Sequence, residues 1–260
     1  MPPSQITLVT GPPGVGKTTW IRQQLNQARD PVVYFAAGAG SLPIDGMHLG
    51  VEFPHLKVLI EGQEQELLGQ IKTGIPLLVE VAFHLDPVQM QQIFGEFDCY
   101  WVGITPDPEL DAETYLWADE LIPGQATLPP LKTPQLWRAS LTGQVWDPAS
   151  LEVFWDELLL GAYGEVYRAK GIFEMPEGQA IYGEFTAGSR RTSLEDFDVL
   201  NVPRHLKGRP QRFSGLEILG RNLDTGSLSQ AVQDCCLSDA VLMDYQRQIQ
   251  ELIETGELAA

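Results

Sequence analysis

The chain has 260 residues, 43% of them apolar and 20% charged, which is room for one large domain or two modest ones and too apolar for a disordered chain. Its formal net charge of −18 argues against general binding to nucleic acid or to an anionic membrane. No basic-then-apolar leader opens the sequence and no apolar run approaches a membrane span, so a cytoplasmic protein is expected.

Residues 5–10 (QITLVT) read as a short strand that runs into a Gly-Pro-Pro-Gly turn, with a helix pattern from Lys17 to about Ala28. Residues 31–37, 57–60, 76–82 and 98–104 are apolar strand-like runs, with helix patterns at 62–73, 87–97 and 109–118 between and after them. Strands that are apolar on both faces and alternate with helices predict a parallel sheet with helices on both faces. Residues 123–135 hold four prolines and read as a linker, followed by a connecting helix at 149–160. Beyond it, alternating runs at 165–174, 179–187 and 211–219 predict a smaller, mostly antiparallel sheet, with helices at 226–236 and 239–254. The expected division is 1–125, a linking part at 126–160, and 161–260.

The residues Gly11 to Thr19 (GPPGVGKTT) satisfy Gly-x4-Gly-Lys-Ser/Thr between a strand and a helix, a pattern that random chains of this length show about once in a hundred. The chemistry explains the spacing. Gly11, Gly14, Val15 and Gly16 let the backbone wrap a phosphate with its N–H groups inward, and the helix adds its positive end. Lys17, on an exposed loop-to-helix junction, reaches the β- and γ-phosphates, Thr18 holds Mg²⁺ through its hydroxyl, and Thr19 closes the motif. This is the signature of a P-loop that binds a nucleoside triphosphate. An acidic partner is expected at the end of a neighbouring strand. Glu80, inside the apolar run LLVEVAF, is the first candidate, because a carboxylate there needs a metal, water or lysine partner. Asp45, on the loop after the second strand, is the other.

Together these segments and the second half resemble the CobW-type GTPases, often described as metallochaperones. GEVYRAKGIFEMPEG (164–178) resembles the start of that family's carboxyl-terminal domain and RFSGLEILGRNLDTGSLSQAVQDCC (212–236) its closing strand and helix. The resemblance implies a P-loop NTPase domain followed by a smaller α+β domain, GTP (or ATP) and Mg²⁺ as cofactors, slow or partner-dependent hydrolysis with Glu80 as the catalytic carboxylate, handling of zinc, cobalt or related metals, and a protein client docked on the second domain. A regulatory or scaffold protein that keeps only the fold, or an ATP-dependent kinase-like enzyme, are the alternatives.

Several family features are replaced. Ala37 and Gly38 stand where the family has Asn-Glu, and LIEGQEQELL (59–68) stands where it has Cys-x-Cys-Cys. Glu-x-x-Gly becomes Glu80-Val81-Ala82-Phe83, which puts a phenyl side chain where the family's glycine brings its backbone N–H to the γ-phosphate. No Asn-Lys-x-Asp guanine motif occurs. His48, Glu52 and His55, near Asp45, form a candidate substitute metal set, although Gly50 and Pro54 interrupt any helix that would align them. His84 and Asp86 follow the Glu80 strand and are candidates for switch or catalytic roles. In the second half, Arg168 and Lys170 share a strand face, and Arg190, Arg191, Arg204, Lys207, Arg209 and Arg212 form a basic segment that is either solvated or a docking face. Core packing is expected for Cys235 and Cys236, which with Cys99 are the chain's three cysteines.

Overall fold

The computed structural model describes residues 5–125 and 134–256, and the chain divides into two units, Met1–Pro129 and Pro130–Ala260. The first unit runs β1 (Ile6–Thr10), α1 (Lys17–Gln27), β2 (Val32–Ala37), α2 (Ile44–Glu52), β3 (Leu56–Leu59), α3 (Glu64–Thr73), β4 (Leu77–Val81), α4 (Pro87–Phe94), β5 (Cys99–Thr105), α5 (Pro108–Asp111) and β6 (Glu120–Pro123). Its six strands pair in the order β3-β2-β4-β1-β5-β6, every pairing parallel. Apolar residues fill both faces of this sheet. Ile21 and Leu25 of α1, with Leu49 of α2, pack with Val9, Tyr34 and Val102 on one face. Leu67 and Ile71 of α3, with Met90 and Phe94 of α4, pack with Leu8, Phe35 and Val79 on the other. The expected parallel sheet with helices on both faces is therefore what the chain forms. In such sheets the loops that leave the carboxyl ends of the strands, where the strand order switches sides, make the ligand crevice. Here β1 lies between β4 and β5, so the loop after β1 opens at that place.

One helix departs from the sequence expectation. The sequence predicts a loop at Asp45, with Gly50 and Pro54 as breakers, yet a regular helix runs from Ile44 to Glu52. The glycine at 46 has a packing reason. A Cβ there would lie 2.7 Å from Cε1 of Tyr34, so only glycine lets α2 seat on that ring.

In the second unit, β7 (Gln135–Ser140), α6 (Pro148–Leu160), β8 (Glu165–Glu174), β9 (Ala180–Thr186), β10 (Asp198–Val199), β11 (Gly215–Arg221), α7 (Thr225–Asp234) and α8 (Asp239–Glu254) follow in order. Five antiparallel strands pair as β10-β9-β8-β11-β7, and α6 and α7 cover one face through Trp155, Phe154, Leu158, Leu228 and Val232. The segment 126–160, expected as linker and connecting helix, divides differently: 126–133 lie outside the described residues, 135–140 form the edge strand β7, and α6 supplies core. The prolines upstream concealed this strand. Among the described residues no helix is long and apolar enough to cross a membrane.

Candidate nucleotide-binding site

The loop between β1 and α1 is shaped by its glycines. Gly11 has φ +154°, and a Cβ on it would collide with the carbonyl oxygen of Ile104. The backbone thus passes too close to β5 for any side chain. Pro12 and Pro13 carry no N–H, so the donors of the cradle begin at Gly14. Gly16 is the N-cap of α1, in the left-handed conformation, and no side chain caps the helix and no acid occupies its first turn. By contrast α4, α6, α7 and α8 are each capped by a side chain (Asp86, Asp147, Asp224 and Ser238), while α2 and α3, which also lack a side-chain cap, carry acids in their first turns, Asp45 and Glu64 with Glu66. The amino end of α1 therefore presents N–H groups that no side chain of its own cap satisfies, together with the helix's positive end. This is a site for an anion.

Lys17 is not on an exposed junction. It is 7% exposed, and its ammonium donates to the carbonyls of Gly11 (2.9 Å) and Pro12 (3.2 Å). These bonds hold the cation over the loop while keeping it hydrogen-bonded despite burial. The next residue, Thr18, directs its hydroxyl at Glu80, 3.4 and 3.3 Å from the two carboxylate oxygens. Glu80 is 8% exposed, on β4 opposite Val9 of β1 and Ala36 of β2, and it accepts a hydrogen bond of 3.0 Å from the hydroxyl of Tyr34. The sequence expectation that Glu80 comes to the P-loop agrees with its contact with Thr18. Sequence reasoning missed Tyr34, which reads as one more apolar residue of VVYFAA. The available signal was its period: Tyr34 and Ala36 share a face of β2, and Ala36 is the residue opposite Glu80.

Asp45 and His48 are buried, one turn apart on α2, with Asp45 in its first turn. The substitute metal set does not assemble. Glu52 at the far end of the helix pairs with Arg22 at 2.7 Å, and His55 lies beyond Phe53, its ring edge-on to that phenyl. Nine residues of helix separate the two ends by about 13 Å. Among the described residues no three His, Cys, Asp or Glu side chains converge as metal ligands. In the stretch where the family has thiolates, Glu61 accepts from the Gly38 amide at 2.6 Å and Glu64 from the Gly62 amide at 2.7 Å, which lowers the Glu64 pKa. Asp86 is spent as the cap of α4, accepting from Val88 N at 2.9 Å. His84 is exposed and lies beside Phe83 and the Gly38 loop.

On the other side of α1 a cleft of about 300 Å³ is lined by Gly16, Thr19, Trp20, Gln23, Pro123 and Gln125, with Val15 and Ile104 among its apolar walls. Its rim is stitched to the loop: the amide of Gln125 donates to the carbonyl of Val15 at 3.0 Å, and that of Gly124 to the carbonyl of Thr105 at 2.8 Å. A cavity beside the amino end of α1 gives the remainder of a phosphate-bearing ligand somewhere to lie.

In the second unit the basic segment is largely used internally. Arg212 makes a two-pronged ion pair with the buried Glu174, Arg209 pairs with Asp239 at 2.6 Å, and Arg204 donates to the carbonyl of Glu177 at 3.1 Å. Lys170 pairs with Glu217 at 3.3 Å. Cys235 and Cys236 pack against the core.

No family model matches the chain, and no curated protein matches it. Two solved structures are similar to it. One is a zinc-bound YjiA GTPase from E. coli, 13% identical, covering 90% of this chain and 99% of that one at a TM-score of 0.32. The other is a zinc-bound triple mutant of YjiA GTPase, 14% identical, with 90% and 99% covered and the same TM-score of 0.32.

Proposed function

We propose that the first unit binds a nucleoside triphosphate with Mg²⁺, GTP being the nucleotide that the CobW-like sequence resemblance implies. The observation that supports it is the amino end of α1, left without a side-chain cap, with the Lys17 ammonium held over the loop that leads into it. In this reading the backbone from Gly11 through Gly14, Val15, Gly16, Lys17, Thr18 and Thr19 wraps the phosphates, and Lys17 neutralises the β and γ oxygens. Thr18 and Glu80 offer a hydroxyl and a carboxylate, the hard oxygen donors that suit Mg²⁺. When bound, the metal neutralises charge on the phosphates. Glu80 orients water or the metal's hydration shell, and Asp45 is the second acidic candidate, carried on the helix seated on Tyr34.

Turnover in this reading is slow or depends on a partner. Phe83 stands where the family's glycine gives an N–H to the γ-phosphate, and the titratable groups that follow it are the exposed His84 and the cap Asp86. That same substitution favours a second reading, a regulatory or scaffold protein that binds the nucleotide without hydrolysing it. Calorimetric titration with non-hydrolysable GTP and ATP analogues, with and without Mg²⁺, tests the first reading. Binding strengthened by Mg²⁺ supports it, and no binding of either analogue overturns it. Phosphate release at saturating nucleotide separates the two readings.

A further inference from the structure

We propose that Tyr34 is a positioning residue for the metal: its hydroxyl holds the Glu80 carboxylate in register with Thr18. The proposal rests on the nucleotide-binding reading above.

Tyr34 is 1% exposed, and its ring is fixed from two directions. It is a residue of the β2 strand, hydrogen-bonded to both β3 and β4, and α2 lies on its edge at Gly46 with no space for a Cβ. A ring so confined delivers its hydroxyl to one place. That place is Oε2 of Glu80, at 3.0 Å. The contact between Glu80 and Thr18 is longer, 3.3 and 3.4 Å, beyond the usual range for two oxygens. Of these two contacts the phenol is thus the firmer. Thr18 is the more weakly engaged, so its hydroxyl can turn to a cation without breaking the anchor. A phenylalanine would fill the same volume and seat α2 equally well. Only the hydroxyl of this side chain bears on Glu80, and a hydrogen bond to a carboxylate is among the stronger kinds. A carboxylate that loses this bond is held less firmly and meets a metal's hydration shell less often in the productive rotamer.

The test is Tyr34→Phe, which keeps the ring and its packing, with a thermal melt to confirm the fold. The readout is affinity for a fluorescent, non-hydrolysable GTP analogue, measured in EDTA and across an Mg²⁺ titration. Wild type is compared with Tyr34→Phe, Glu80→Gln and the double variant. The expected result is EDTA affinity within about twofold of wild type and an Mg²⁺ enhancement about tenfold smaller in Tyr34→Phe, on the scale of one charged hydrogen bond. Added to Glu80→Gln, the tyrosine change should have no further effect. The proposal is overturned if the enhancement is unchanged in Tyr34→Phe. It is also overturned if affinity falls equally with and without Mg²⁺, or if the loss persists undiminished in the Glu80→Gln background. Those outcomes leave nucleotide binding intact. A wild type that binds no triphosphate at all overturns the nucleotide reading and this proposal together.

Discussion

The ammonium of Lys17 donates to the carbonyl oxygen of Gly11 at 2.9 Å, so the cation at the start of α1 is tied to the residue that follows β1. This sets the lysine over the loop before any phosphate arrives. Replacing it with methionine removes a buried charge and its two loop hydrogen bonds but keeps the stem. The cost of losing those bonds and the gain from no longer burying an ammonium offset one another, so stability should change by no more than about 1 kcal/mol. Triphosphate affinity should fall by about 100-fold or more, because a charge-assisted contact to phosphate is lost. Calorimetry on both proteins checks this, and equal affinities would remove Lys17 from the site.

Two helical glycines should respond to alanine with opposite signs. Gly69 in α3 is exposed, and a Cβ placed on it would have no neighbour within 4 Å, so Gly69→Ala should stabilise by about 0.5–1 kcal/mol through helix propensity. A Cβ on Gly46 in α2 would meet the Tyr34 ring at 2.7 Å, so Gly46→Ala should destabilise by about 1–3 kcal/mol. Urea melts of the two variants decide it. A stable Gly46→Ala would show that α2 is not seated as described.

The contrast explains which parts were legible in the sequence. The P-loop is contiguous, and its strand and helix carry clear periods, so the motif, the parallel sheet and the pairing of Thr18 with Glu80 could be read from the chain. Helix α2 could not, because Gly46, Gly50 and Pro54 carry the local signs of a loop, while the reason for Gly46 lies on another element, the ring of Tyr34. Tyr34 itself was hidden for the same reason: its hydroxyl is used across the sheet, on Glu80. Strand β7 followed a proline-rich stretch, and its pairing partner β11 lies about 80 residues on. What depends on a distant contact left no local mark.

Tight zinc binding is not expected in the first unit. Asp45 and His48 share one turn of α2, but Glu52 is engaged by Arg22 and His55 lies past the other end of the helix. Tetrahedral zinc wants three or four converging ligands. Protein purified without chelator should carry far less than one zinc per chain by elemental analysis. A stoichiometric zinc ion lost on replacing His48 and His55 would contradict this.

The three cysteines should be slow to react. Burial pushes each thiol up from 9.0 to about 11, reinforced at Cys99 by Asp98 and Asp119, and opposed at Cys236 by Arg209. A rise of that size lowers the thiolate fraction near neutral pH by about 100-fold, so alkylation should be slower than for the urea-unfolded chain by about that factor. The sign for stability follows. The folded chain holds these protons more tightly, so the contribution is present in full below pH 9.0 and is lost as pH rises through about 11. Alkylation at ordinary rates in the folded protein would mean the thiols are not half-buried as the structure has them.

Discrimination between guanine and adenine should be weak. Guanine selectivity rests on an acceptor pair for its N1–H and 2-amino group, which a carboxylate supplies. The cleft beside α1 is lined by Thr19, Trp20, Gln23 and Gln125, and no Asp or Glu is among its described lining residues. An amide carries a donor and an acceptor and can turn to suit either purine. If the base lies here, GTP and ATP analogues should bind within about 100-fold of each other, less than roughly 2.7 kcal/mol of discrimination. Trp20→Ala should weaken both by a similar factor, about tenfold, since an aromatic face supports either ring alike. Gln125→Asp should shift the ratio toward GTP by giving the cleft the carboxylate it lacks. Competition titrations with the three proteins separate the possibilities. A wild-type preference for GTP above about 100-fold would mean that an acceptor outside this cleft reads the base. A Trp20→Ala variant with unaltered affinity would mean that the base does not lie in the cleft.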